Sequence, residues 1–240
     1  MNVLDDITAV TVNWLTARRT LGAIKNFKKY YPDIPLIVVD DDSKEEDRGE
    51  FFHAYNGHDV NPDLEYDPDT SKLKNIPGVT FLQLPQHNLH PKSHGHSVDL
   101  AIQTMKTHWM YHFHSDYRLT SGGLLEELSD GLDDSYCAVG DNKTRHPDCP
   151  AVVSVAAIYN ADAGKRHHVT FKPVVYHNDG HITDFPGPCP EDAMAIEAGS
   201  YYVGKLTKLG YKIKWVTNPH GRYGVHMRWT GNEDEWNQLY

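Results

Sequence analysis

Immediately after Pro35 the uninterrupted apolar run Leu36, Ile37, Val38, Val39 stops at three consecutive aspartates and Ser43. An apolar run without polar alternation suits a strand covered on both faces, which is the environment of a parallel sheet between helices. The rest of the chain fits that frame. Residues 7–14 read as an earlier strand rich in Val, Thr and Ile, and 17–30 as an amphipathic helix with Leu21, Ile24, Phe27 and Tyr31 at helical spacing. Residues 44–75, with Asn56-Gly57, Asn61-Pro62 and Asp67-Pro68, read as a long connection holding one short helix. Strands are expected at 79–84, 109–113, 137–139, 152–159 and 211–216, and helices at 97–106, 123–132 and 193–209. Residues 183–191 read as a Pro-rich loop before the last helix, Gly210 as that helix's stop, and 217–240 as a C-terminal loop or tail.

The 240 residues, 39% of them apolar, suffice for one domain spanning 1–240. Apolar runs are too short to span a bilayer, and MNVLDDITAV carries acids where a secretory signal carries positive charge. A cytoplasmic protein without an integral membrane segment is the expectation. Cys137, Cys149 and Cys189 form no CxxC motif and read as free thiols. A formal charge of −10 disfavours a broad nucleic-acid surface.

In open α/β sheets ligands collect beyond the carboxyl ends of the strands. The polar residues directly after apolar runs are therefore the candidates: Asp40-Asp41-Asp42-Ser43, then His114-Ser115-Asp116, then Glu191-Asp192 at the head of the expected late helix. Carboxylates accept from the N–H and O–H donors of a base and ribose, whereas they repel a diphosphate unless a divalent cation lies between. Acid runs after strands also serve as solvated turns or helix caps.

With Asn88 and Gly95 between them, these motifs occur in an order that resembles the family 2 inverting glycosyltransferases. The resemblance covers about residues 7–220 through order and spacing, without a long identical stretch. It implies a GT-A fold, a Rossmann-like α/β domain whose mixed, mostly parallel central sheet is flanked by helices. It implies that Asp40 or Asp41 binds the uracil or ribose of a UDP-sugar, with Thr11 and Asn13 as the pocket's other wall. His114-Ser115-Asp116 corresponds to the family's DxD metal motif, with His in place of the first acid. Asp116 then binds the cation, and His114 either ligates Mn²⁺, which imidazole suits better than Mg²⁺, or faces a phosphate; packing of His112 and His114 on one strand face is the plain alternative. Gly95, Ser97 and Asp99 fall where the family has small residues and Asn near the donor sugar, although Ser97 also suits a helix cap. The resemblance further implies that His226 completes the metal shell and that Asp192, with Glu191 beside it, is the catalytic base, one of that pair serving equally as a helix cap; Arg222 and Arg228 either offset diphosphate charge or are exposed tail residues.

The activity so implied is transfer of a sugar from a nucleotide-diphosphate sugar to an acceptor hydroxyl, with inversion, aided by Mn²⁺ or Mg²⁺. A glycan, lipid carrier, protein side chain or modified base would each supply that hydroxyl. Two alternatives keep the fold. Nucleotidyltransferases share strand-end carboxylates and a cation, yet residues 11–19 lack their Gly-rich phosphate loop. A non-catalytic nucleotide-sugar-binding protein would account for the altered metal motif.

Overall fold

The structure, a computed structural model, describes residues 3–48, 66–85, 92–141, 152, 155–171, 174–177, 182–184, 193–196 and 199–226. For residues 92–93, 174–177, 182–184, 193–196 and 226 the description is limited to the backbone. In chain order the described elements are β1 (Ile7–Asn13), α1 (Ala17–Tyr30), β2 (Leu36–Asp40), α2 (Ser71–Lys74), β3 (Val79–Gln83), α3 (Lys92–Thr104), β4 (Trp109–Phe113) and β5 (Tyr117–Leu119). They continue with α4 (Leu124–Ser129), β6 (Tyr136–Gly140), β7 (Ala156–Asn160), α5 (Ala161–His167), β8 (Val174–His177), β9 (Ile182–Asp184) and β10 (Ala193–Ile196). The last are α6 (Ser200–Lys208), β11 (Lys212–Trp215), α7 (Pro219–Tyr223) and β12 (Gly224–His226).

The central sheet has seven strands in the order β11-β6-β7-β4-β1-β2-β3. β1 is parallel to β2 and β4, β2 to β3, and β6 to β11, while β7 runs antiparallel to β4 and β6. This is the mixed, mostly parallel sheet that the resemblance implies. Alternation along β1, β2 and β4 feeds two cores, because successive side chains point to opposite faces. Ile7, Ala9, Leu36, Val38, Tyr111 and Phe113 pack with Phe27 of α1 and Leu124 of α4. Val10, Ile37, Val39 and Met110 pack with Val98 of α3 and Val203 of α6. After β1 the chain builds outward through β2 and β3, then returns to place β4 on β1's other side. The connections therefore diverge beyond the carboxyl ends of β1 and β4, where the crevice of an open α/β sheet forms.

Three expectations are corrected. The helix expected at 97–106 begins at Lys92, so His94, Gly95, His96 and Ser97 lie inside α3 and Ser97 is no cap. The helix expected at 193–209 is divided. Residues 193–196 pair antiparallel with β8, Gly199 has a φ of +97°, and among the described residues of this stretch only Ser200–Lys208 is helical. Ala-Met-Ala-Ile favours helix by propensity, and the ladder to β8 overrides it. Glu191-Asp192 accordingly precede a strand, not a helix. Finally, 217–226 is not a tail. Asn218 accepts from Gly221 N–H and Pro219 opens α7, after which β12 pairs with β5. The sequence reading also passed over α5 and β8, and took β9 for part of a loop.

Candidate functional site

Asn13 and Asp40 end β1 and β2 at paired positions of the parallel ladder. Both are fully buried. Asn13 Nδ2 donates to Asp40 Oδ1 (2.7 Å), and Asn13 Oδ1 accepts from Thr20 Oγ1 of α1 (2.8 Å). Ser43 closes the knot: its backbone N–H donates to Asp40 Oδ2 (3.0 Å), its hydroxyl to Asp40 Oδ1 (2.7 Å), and the same hydroxyl accepts from Leu15 N–H (2.8 Å). Burial pushes the Asp40 carboxyl above its ordinary pKa, and the Asn13 and Ser43 hydrogen bonds pull the other way. Asp41, also buried, donates its backbone N–H to Asn13 O (2.8 Å). Asp42 holds a left-handed backbone (φ 52°) and pairs with Lys44 at 2.7 Å. Thr11 lies one pleat deeper, wholly buried, its hydroxyl without a hydrogen-bond partner among the described residues.

Past the end of β4, His114 N–H donates to Val155 O (3.2 Å), and the turn returns as β5. Asp116 in that turn is 4% exposed, and its Oδ2 pairs with Arg19 of α1 at 3.0 Å; Asp116 Oδ1 lies 3.9 Å from His114 Nδ1. Arg118 ties the turn to α1 by donating to Ser115 O (2.8 Å), Tyr117 O (3.0 Å) and Arg19 O (2.9 Å). Asn26 clamps β5 to the same helix, accepting from Leu119 N–H (2.7 Å) and donating to Leu119 O (3.0 Å). On the other face the His94 ring meets His112 and His114 edge-on, with centroids 5.3 Å and 6.2 Å away. The antiparallel ladder of β5 with β12 sets His226 opposite Tyr117, the neighbour of Asp116.

The structure thus gathers Thr11, Asn13, Asp40 and Asp41 at the ends of β1 and β2, and His114, Ser115, Asp116 and the backbone of His226 beyond β4. Gly95 is buried within α3, whose neighbouring residue His94 reaches β4. Asn88, Glu191, Asp192, Arg228 and the His226 side chain lie outside the described residues. Among the described residues no group of three His, Cys, Asp or Glu is arranged to hold a metal ion. Asp116 and His114 nevertheless offer one oxygen and one nitrogen donor, a set that suits Mn²⁺ better than Mg²⁺. A cleft of about 710 Å³ lined by Val3, Asp6, His108, Trp109, Asp133 and Asp134 opens at the opposite, amino ends of β1 and β4 and has no part in this group.

Sequence reading missed Arg19 and Arg118. α1 has no acid in its first turn and two arginines, Arg18 and Arg19, in their place. Positive charge there opposes the helix dipole, and that conflict was the available sign that a carboxylate from elsewhere pairs with it.

Comparison with solved structures identifies the architecture. A mannosyltransferase from Pyrobaculum calidifontis, PcManGT, in complex with GDP-Man and Mn²⁺, superposes with a TM-score of 0.54 at 11% identity, over 89% of this chain and 55% of that one. This is the GT-A-type glycosyltransferase fold. The 1–349 fragment of TarS from S. aureus superposes with a TM-score of 0.50 at 10% identity, over 88% of this chain and 58% of that one. The chain therefore spans somewhat more than half the length of either structure. No protein-family model matches the sequence, and no curated protein matches it either. Among the described residues no helix is long and apolar enough to cross a membrane.

Proposed function

We propose that this chain is a glycosyltransferase domain that takes a nucleotide-diphosphate sugar as donor and passes the sugar to an acceptor hydroxyl. The observation that carries the reading is the buried carboxylate Asp116, set with His114 just beyond β4 and linked to the Asn13–Asp40–Ser43 knot through the consecutive α1 residues Arg19 and Thr20, at the crevice where the strand order reverses. That a structural neighbour was solved with GDP-Man and Mn²⁺ supports the same reading.

In this mechanism the nucleoside lies over the ends of β1 and β2. Asp40 is committed to Asn13 and Ser43 and shapes the pocket floor, and Asp41 accepts from the base or ribose. Asp116, His114 and His226 are the residues that would hold a divalent cation. Such an ion supplies Lewis-acid stabilisation of the charge that develops on the departing diphosphate. Asp192, with Glu191 as its neighbour, removes the acceptor proton as the hydroxyl oxygen attacks the anomeric carbon and the bond to the diphosphate breaks, which inverts that carbon. The donor is a UDP-sugar by the family resemblance, and GDP-sugars belong in the same test.

A panel of UDP- and GDP-sugars, titrated calorimetrically with and without Mn²⁺ and assayed for hydrolysis, checks the proposal. Binding of at least one donor that Asp116→Asn abolishes is expected. Failure of every donor to bind would refute the donor-site assignment, and full turnover in excess chelator would refute the role of the cation.

A further inference from the structure

Arg19 is a buried cation in direct contact with the carboxylate that the proposed function gives to the metal. Residues Arg19 and Asp116 are each 4% exposed, and the guanidinium stands 3.0 Å from Asp116 Oδ2. Its position is fixed twice. It sits in the first turn of the 14-residue α1, and Arg118 grips its backbone carbonyl while holding Ser115 O and Tyr117 O of the turn. The guanidinium cannot lose its charge by deprotonation in a protein. Because α1 carries no acid in its first turn, the positive end of the helix adds to the same field.

A dication coordinated through Oδ1, the carboxylate oxygen that faces His114, would lie close to this fixed charge, with little water between to screen the repulsion. The carboxylate that should attract it is already paired with Arg19. A nucleoside diphosphate brings negative oxygens that offset both the guanidinium and the ion. On these grounds, and resting on the reading of the site as a donor site, we propose that Arg19 makes cation binding at Asp116 conditional on a bound nucleotide diphosphate. Arg19 is then a positioning residue. It keeps Asp116 in place and folded away without a metal, and it couples the two ligands so that each raises the other's affinity by the same factor.

The test is a Mn²⁺ titration of the full chain, read by the electron paramagnetic resonance of free aqueous Mn²⁺, alone and with GDP or UDP. For wild type, Mn²⁺ should bind at least about tenfold more tightly with one of the nucleotides than without. Arg19→Gln should bind Mn²⁺ alone at least about tenfold more tightly than wild type, with a smaller gain on adding nucleotide. Arg19→Lys, which keeps the charge, should retain the wild-type pattern, a result that loss of packing alone would not give. Adding Asp116→Asn to Arg19→Gln should erase the gain. A folded Arg19→Gln that binds Mn²⁺ alone no more tightly than wild type overturns the inference and leaves the donor-site reading standing. Failure of wild type to bind either nucleotide, with or without Mn²⁺, removes both. If Arg19→Gln fails to fold, the wild-type titration still decides: equal Mn²⁺ affinity with and without both nucleotides overturns the coupling.

Discussion

Asp40 illustrates how one carboxylate organises a strand end. With no exposed surface, it accepts from the buried Asn13 Nδ2 and from the N–H and hydroxyl of the half-buried Ser43. Asp40→Ala strands those donors, and since each buried group left unmade costs about 1–3 kcal/mol, a loss of about 2–4 kcal/mol in urea unfolding is expected. The pH dependence follows from the raised pKa. The folded chain holds the Asp40 proton to higher pH than the unfolded chain, whose value is near 3.8, so Asp40's contribution to stability falls as pH rises from there through the folded value. The stability of wild type relative to Asp40→Asn should therefore decline across that window and level off above it. Asp41→Ala, in contrast, should leave the knot intact and weaken nucleotide binding by about 1–3 kcal/mol, measured by calorimetry. Asp192→Asn should keep donor and metal binding while losing about 10²-fold or more in transfer rate. Near-normal transfer in Asp192→Asn with collapse in Glu191→Gln would move the base to Glu191.

At the scale of elements, the least obvious support for the site is the short β5–β12 ribbon. Gly224 lies flat against β5: an added Cβ would stand 2.5 Å from both Arg118 O and Tyr117 Oη. Its φ of −165° is open to any residue, so the demand for glycine here comes from close approach. Gly224→Ala should push β12 off β5, cost about 1–3 kcal/mol by overpacking, and weaken Mn²⁺-dependent nucleotide binding through displacement of His226. Comparing its melting curve and its Mn²⁺ titration with those of wild type checks both parts. No local pattern announces this ribbon. β1, β2, β4 and α1 were readable because burial on both faces writes itself as continuous apolar runs and helical spacing into a few adjacent residues. β5 and β12 have three residues each and are defined by a partner remote in sequence. β10 failed to announce itself for the same reason, its ladder to β8 prevailing over helix-forming residues. Site residues followed the same division. Asp40, Asp41 and Asp116 stood out as candidates because they follow readable strands, whereas Arg19 takes its meaning from Asp116, which folding brings to it.

For the whole molecule, the two cores on either side of one sheet bind its folding to its chemistry. Cys137 on β6 is buried in the core that also holds Tyr202 and Val203 of α6, donates to Lys212 O of β11, and has its thiol pushed up to about 12 by burial. It should resist a thiol reagent at pH 8 in the folded chain and react only on unfolding, since the thiolate is the reactive form. Ligand binding reports on the same cooperative unit. The candidate donor site joins β1, β2 and β4 of the central sheet to α1 and β5, which share one core with them, so a ligand selective for the folded state stabilises the domain by RT ln(1 + [L]/Kd), about 2.7 kcal/mol at a hundred times Kd. For a domain of this size each kcal/mol shifts the melting temperature by about 2–4 °C, which puts the expected rise at about 5–11 °C with Mn²⁺ and a donor nucleotide together. Mn²⁺ alone should give a small fraction of that shift while Arg19 pairs with Asp116. Asp116→Asn should abolish the Mn²⁺-dependent part, because the amide neither binds a hard cation as a carboxylate does nor pairs with Arg19 as an anion. The same variant should also start from a lower melting temperature, since it removes the buried carboxylate that pairs with the Arg19 guanidinium. Scanning calorimetry of both proteins, with and without each ligand, separates the two effects: the baseline difference reports the ion pair, and the difference in shift reports the cation. An equal ligand-induced rise in both proteins would place the nucleotide and its metal away from Asp116.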